Sequence, residues 1–200
     1  EKAPDTLYLV DSVSGLLGAE IRADEWGIDI LLTSSQKAMA LPPGIAFASV
    51  SDRVLERAQQ IAYRGYYFDF IALEESIVKN NTPATPPVSL MFAANHQLAD
   101  VLAEGIENRW QRHLDMRQMT QDWVEQRGFG FFAVEGYRSP TVTCVANTRH
   151  ADVNKMAAFM LNKGYDMDKG YGQIKGKTFR VAHMGDTQPA ILQDFLNGLD

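Results

Sequence analysis

The chain of 200 residues is 46% apolar and 22% charged, a composition that suits one large globular domain or two small ones. Its 19 basic and 25 acidic residues leave a net charge of −6, so no basic surface favours nucleic acid or an anionic membrane as partner. Cys144 is the single cysteine, no Cys/His cluster has zinc-ligand spacing, and no apolar run nears the roughly 20 residues of a bilayer span, so a disulfide framework, a bound metal and a membrane anchor are not expected, and a cytoplasmic protein is.

The chain opens on Glu1 rather than Met and is already apolar at Leu7–Val10, so it is expected to be a portion of a longer protein. That run ends in Asp11 and passes into Ser12-Val13-Ser14-Gly15, which reads as a buried strand leading into a turn. Ile28–Thr33 and Ile45–Val50 read as two more buried strands. The segment between them is polar at first and then punctuated by Pro42-Pro43-Gly44. Ser51 is a suitable N-cap for a helix over Asp52–Ala62. Lys79–Pro87, with three prolines in nine residues, can be neither regular helix nor central strand and marks an ordered loop and a domain boundary.

Beyond the loop, apolar residues recur in steps of three and four from Leu90 to Leu114, the stripe of one long helix. The remainder alternates. Strands are expected near 130–134, 141–146 and 179–183, and helices near 152–163 and 189–199, as in a small α/β sandwich.

Two residues carry chemical interest on their own. Lys37 follows an apolar strand within Ser34-Ser35-Gln36-Lys37 and has no charged neighbour between Asp29 and Asp52. Desolvation disfavours the ammonium form and improves the amine as a nucleophile; a lysine snorkelling from a strand end to solvent is the alternative. Asp11 ends its own apolar run with no basic residue nearer in sequence than Lys2 and Arg22. It can cap the following turn, or hold a cation in a dry site.

Asp11-Ser12-Val13-Ser14, followed by Ser34-Ser35-Gln36-Lys37-Ala38-Met39-Ala40-Leu41-Pro42-Pro43-Gly44, resembles the cofactor-binding half of the class V, fold-type I pyridoxal-phosphate aminotransferases, in the alanine–glyoxylate/serine–glyoxylate branch. The similarity continues in order through Tyr66-Tyr67-Phe68-Asp69, Thr82-Pro83-Ala84-Thr85-Pro86-Pro87 and Phe179-Arg180-Val181-Ala182-His183-Met184-Gly185. It implies an α/β fold: residues 1–88 as the latter part of a mostly parallel pyridoxal-phosphate-binding large domain, and 89–200 as a smaller α/β domain entered by the long helix. It implies pyridoxal 5′-phosphate as cofactor. The reaction implied is transfer of an amino group from a small amino acid, alanine or serine, to a 2-oxo acid, glyoxylate or pyruvate. A homodimer with shared active sites is implied as well.

The resemblance also implies roles. Lys37 would form the internal aldimine and then move a proton as general base and acid. Asp11 would pair with the pyridinium nitrogen, and Val13, two residues on in an extended segment, would pack on a ring face. Gln36 would direct its amide to the phosphate or ring oxygen, and Thr82 and Thr85 would reach the phosphate of a neighbouring subunit. Arg180 would grip the substrate α-carboxylate. Relatives carry a glycine-rich phosphate site at a helix N-terminus in their other half, so this chain alone is expected to show little catalysis.

Two other readings compete. A cysteine desulfurase or other lyase of the same fold needs a mobile, exposed thiol, whereas Cys144 lies in a β-branched strand pattern that favours a buried one. A non-catalytic domain of the same fold would take up no cofactor. His96 and His113 are expected to be partly exposed on the long helix. His183 is expected to be structural, because it lies an odd number of residues from Arg180 and faces the other way.

Overall fold

The computed structural model describes residues 5–200; residues 1–4 of the expected first domain lie outside the described residues. The chain forms two compact units, one of residues up to 16 together with 21–100, the other of residues 17–20 and 101–200.

In the first unit, β1 (Leu9–Asp11), β2 (Ile30–Ser34) and β3 (Ala46–Val50) form a three-stranded sheet in that order. β1 runs parallel to β2, whereas β3 returns antiparallel. The strands expected to be buried are open on one face. Leu31 and Thr33 point into the core, while Leu32 is 40% exposed and Leu9 is 61% exposed. Alternation of this kind marks a sheet packed on one side.

Helix α1 (Asp52–Gln59) starts where expected and ends short of Ala62. Ser51 occupies the N-cap position without capping; its hydroxyl donates to Asp29 instead, at 3.1 Å. Asp29 is buried and also accepts from the Tyr8 backbone N–H at 2.7 Å and from Arg53 at 3.2 Å. One carboxylate thus joins the approach to β1, the approach to β2 and the start of α1. Helix α2 (Phe70–Val78), which no periodicity announced, is capped by Asp69. The hydrogen bond from Arg64 to Asp69, 2.7 Å, holds that carboxyl below the usual carboxylate range. The proline-rich loop follows, and α3 (Val88–Glu104) leaves it.

The single long helix expected through Leu114 is in fact two. Gly105, at φ 85° and ψ 130°, interrupts it, and α4 (Ile106–Gln126) begins afresh. Only glycine adopts that backbone without strain. The break turns Glu104 back toward α4, where it accepts from Arg109 at 2.9 Å and from Arg112 at 2.6 Å. Both arginines, with Arg112 leading, hold the Glu104 carboxyl below its ordinary range. Arg112 also donates to the carbonyls of Gly185 and Thr187, and Arg109 to Asp186 at 2.9 Å, so the turn after the last strand is tied to this helix.

The second sheet, β4 (Gly130–Phe131), β5 (Val142–Ala146) and β6 (Thr178–Ala182), is antiparallel throughout. α5 (Val153–Asn162) is capped by Asp152, and α6 (Pro189–Gly198) closes the chain. Met116, Trp123, Val124, Val145, Met160, Phe179, Leu192 and Leu196 form the core, with Trp123, Phe129 and Phe179 in mutual ring contact.

His113, expected near the surface, is fully buried, its Nδ1 2.6 Å from the Arg109 carbonyl. His183 is also fully buried, with Nε2 2.9 Å from the Thr143 hydroxyl, while Arg180 faces out, as the strand alternation required. Burial lowers the His183 pKa from 6.5 to about 4.

Two predictions follow from these positions. Gly105→Ala forces a side chain into a glycine-only conformation and should cost about 1–3 kcal/mol, read as a lower urea midpoint at unchanged slope. For His183, the unfolded chain binds the proton below pH 6.5 and the folded chain only below about 4. Stability should therefore fall as pH drops through that window, by about 3 kcal/mol from this group. His183→Asn should flatten the pH dependence between 6.5 and 4 relative to the parent, as measured by denaturant titrations across the range.

Candidate functional site

Parallel strands end on the same side, and in α/β proteins that carboxyl edge is where ligands bind. Asp11 is the last residue of β1 and pairs in register with Leu32, two residues before β2 ends at Ser34. The turn that carries Gln36 and Lys37 leaves from that same edge. Pairing extends past Asp11, because the Ser12 N–H donates to the Leu32 carbonyl at 2.8 Å. The Asp11 carboxylate is exposed; its Oδ1 accepts from the Val13 N–H at 3.0 Å, and no group among the described residues engages its Oδ2.

The Lys37 turn is held by what flanks it. Ser35 is fully buried and donates to the Pro42 carbonyl at 2.7 Å, while its backbone N–H donates to the Ile45 carbonyl at 3.0 Å and its carbonyl accepts from Leu41 at 2.9 Å. Ala38 and Met39 are buried immediately beyond. Between these anchors Gln36 and Lys37 are exposed. The expected desolvation of Lys37 is therefore not supplied by these residues, and its ammonium makes no ion pair among the described residues.

The extended segment expected through Val13 is replaced by a turn. The chain folds back after Asp11, with Gly15 and Leu16 both donating to the Ser12 carbonyl, so Val13 is half-buried in a turn closed by the Asp11 side chain. Thr82 and Thr85 are exposed in the proline-rich loop, where the Thr82 hydroxyl donates to the Ala84 carbonyl at 2.8 Å.

Arg180 belongs to the second unit. It lies on the open face of β6, opposite Cys144 of β5. Its Nε donates to Oδ1 of Asp168 at 2.9 Å and its Nη2 to Oδ2 at 2.5 Å. This carboxylate keeps the guanidinium above its ordinary pKa. Cys144 is half-buried, and burial pushes its thiol up. Among the described residues no group of three or more His, Cys, Asp or Glu side chains is placed to hold a metal ion, and no helix is long and apolar enough to cross a membrane.

Ser35 and Asp168 are the residues that sequence reasoning passed over. Ser35 left a signal, a small hydroxyl in an apolar-to-polar junction just ahead of the lysine. Asp168 left none, since its partner is 12 residues away across an irregular loop.

A family model for class-V aminotransferases matches residues 1–171. An uncharacterised aminotransferase of Methanocaldococcus jannaschii is 40% identical over 185 residues, 90% of this chain and 48% of that protein. The L-aspartate–glyoxylate aminotransferase of Paracoccus denitrificans is 34% identical over 189 residues, 92% of this chain and 47% of that protein. The crystal structure of an alanine–glyoxylate aminotransferase from Nostoc sp. superposes with a TM-score of 0.89 at 29% identity, covering 97% of this chain and 53% of that one. The chain thus spans about half the length of the curated relatives it matches.

The geometry of the lysine turn is testable by itself. Ser35→Ala removes the hydroxyl that closes the turn and should lower stability by about 1 kcal/mol, with faster limited proteolysis between Gln36 and Leu41 as the local readout.

Proposed function

We propose that this chain, which belongs to the class-V aminotransferase family, supplies the lysine-bearing part of a pyridoxal-phosphate-dependent transaminase. The observation that carries the proposal is the shared carboxyl edge of β1 and β2, from which both Asp11 and the Lys37 turn emerge. The donor set fits the cofactor: among the described residues, a primary amine without an ion pair and a carboxylate with one oxygen free to accept from a ring N–H. Bound pyridoxal phosphate supplies an aldehyde for amine exchange and a ring that takes up the electrons released at the substrate Cα.

The chain's own residues divide the remaining work. Lys37 holds the cofactor through Nζ and, once exchanged, moves a proton to and from the substrate as base and acid. Asp11 keeps the ring nitrogen protonated. Val13 packs beside the ring, and Gln36 offers an amide to the phosphate or ring oxygen. Thr85 offers its hydroxyl to the phosphate of a second subunit, and Thr82 does so on releasing the Ala84 carbonyl, so a homodimer is part of the proposal. Arg180 takes the α-carboxylate shared by donor and acceptor. In this scheme residues 1–88 belong to the cofactor domain and 89–200 to the smaller domain, in a cytoplasmic enzyme. Relatives have a further half, so the activity is proposed for the protein that contains both.

The reaction proposed is transfer from alanine or serine to glyoxylate or pyruvate. The two characterised relatives above share glyoxylate in their names and differ in the donor, so the donor is settled by assay. A desulfurase reading is disfavoured because burial raises the Cys144 pKa, the reverse of what a nucleophilic thiol needs.

The complete protein should bind pyridoxal phosphate with a visible absorption band that borohydride fixes onto Lys37, and should transaminate glyoxylate or pyruvate in a screen of alanine, serine and aspartate. Lys37→Ala should abolish both the band and the labelling. An unchanged band in that variant sinks the assignment, and a colourless parent that takes up no cofactor favours a non-catalytic domain.

A further inference from the structure

A guanidinium carries five N–H donors and offers two edges that can bind a carboxylate bidentately: Nε with Nη2, and Nη1 with Nη2. In this structure the first edge of Arg180 is taken by Asp168, Nε to Oδ1 at 2.9 Å and Nη2 to Oδ2 at 2.5 Å. Among the described residues nothing engages Nη1.

Asp168 is itself fixed. Its Oδ1 also accepts from the Gly170 N–H at 2.8 Å, and its backbone bridges to that of Arg180. Gly170 lies at φ 82°, and a Cβ there would stand 2.7 Å from the Thr178 carbonyl oxygen and 2.9 Å from that of Ile174. The loop is drawn against the strand by a close approach that only glycine permits. The carboxylate is consequently placed by backbone geometry rather than by a free rotamer. Both side chains remain substantially exposed, 41% for Arg180 and 35% for Asp168. An ion pair in that setting adds little to folding stability.

We propose that Asp168 is the positioning residue of the substrate-carboxylate site: by occupying the Nε/Nη2 edge of Arg180 it fixes the guanidinium plane and leaves Nη1/Nη2 as the single edge open to the carboxylate of amino donor and oxo acid. This rests on the reading of Arg180 as the carboxylate-binding arginine. Asp168 touches no substrate and acts through Arg180, so its loss should appear in KM rather than kcat.

The test uses the complete holoenzyme and three variants, Asp168→Ala, Asp168→Asn and Arg180→Ala. Asp168→Ala should raise KM for both the amino donor and glyoxylate about tenfold or more, and weaken calorimetric binding of propionate, a non-reacting carboxylate, to the same degree. Its kcat, cofactor absorption band and Tm should stay close to the parent's. Asp168→Asn, which keeps an acceptor for Nε and for Gly170, should recover most of the affinity. If Arg180→Ala weakens substrate and propionate binding while Asp168→Ala leaves them unchanged or tightens them, the positioning role is overturned and the arginine assignment survives. If Arg180→Ala itself changes neither, both the assignment and the role built on it fall. Should Asp168→Ala fail to fold, Asp168→Leu, which fills the same space without an acceptor, carries the test, and parent-like KM and propionate affinity in that variant overturn the proposal.

Discussion

Parallel pairing leaves no freedom about where two strands finish. With Leu9, Val10 and Asp11 set against Ile30, Leu31 and Leu32, the carboxylate that ends β1 and the turn that follows β2 emerge on one edge of the sheet. The register matters as much as the direction. A slip by one residue would rotate Asp11 to the packed face and leave Val10 or Ser12 in its place opposite Leu32. The chemistry proposed for Asp11 and Lys37 follows from this single register, and neither residue needs the other's side chain to reach its place.

What protects the register is polar. Asp29, buried beneath the sheet's start, collects the Tyr8 N–H, the Ser51 hydroxyl and Arg53, so β1, β2 and α1 are pinned by one carboxylate. Ser35 does the same at the other end, joining the lysine turn to Pro42 and Ile45. Buried hydrogen bonds of this sort specify position more sharply than apolar contacts, because leaving one unmade is costly. The second unit relies on a larger apolar cluster around Phe179, Met116 and Leu196, yet the segment that bears Arg180 is again fixed by charge. Arg109 and Arg112 hold the turn after β6, and Asp168 holds Arg180 in β6 itself.

The elements with strong local signals were legible in the sequence: the strands at 30–34 and 142–146, the helices capped by Asp152 and opened by Pro189, and the lysine between its strand and Pro42-Pro43-Gly44. The failures have two causes: a local backbone device that spacing does not reveal, or a partner distant in sequence. The apolar stripe from Leu90 to Leu114 keeps its spacing across Gly105, so periodicity alone cannot reveal a break set by one backbone dihedral. Val13 follows a strand, but the Asp11 side chain turns the chain before a second alternation can occur. Ser51 has the right identity for a cap, and Asp29 claims its hydroxyl. His113 sits amid polar neighbours in sequence and is buried because the core packs around its helix face.

The same register explains a cost the sheet carries. Leu9 and Leu32 share the face that bears Asp11, and both remain exposed at 61% and 40%. Apolar surface in water is unfavourable at about 25 cal/mol per Å², whereas a carboxylate resists drying unless a cation meets it. Covering the leucines and desolvating Asp11 are thus one event with opposing energies, and a cation such as the ring nitrogen of the proposed cofactor would offset the unfavourable half if brought to Asp11. The lysine turn obeys the same logic: its buried anchors already meet the entropic cost of ordering the backbone that carries Lys37, and only the side chain remains to be fixed by a group arriving at that edge.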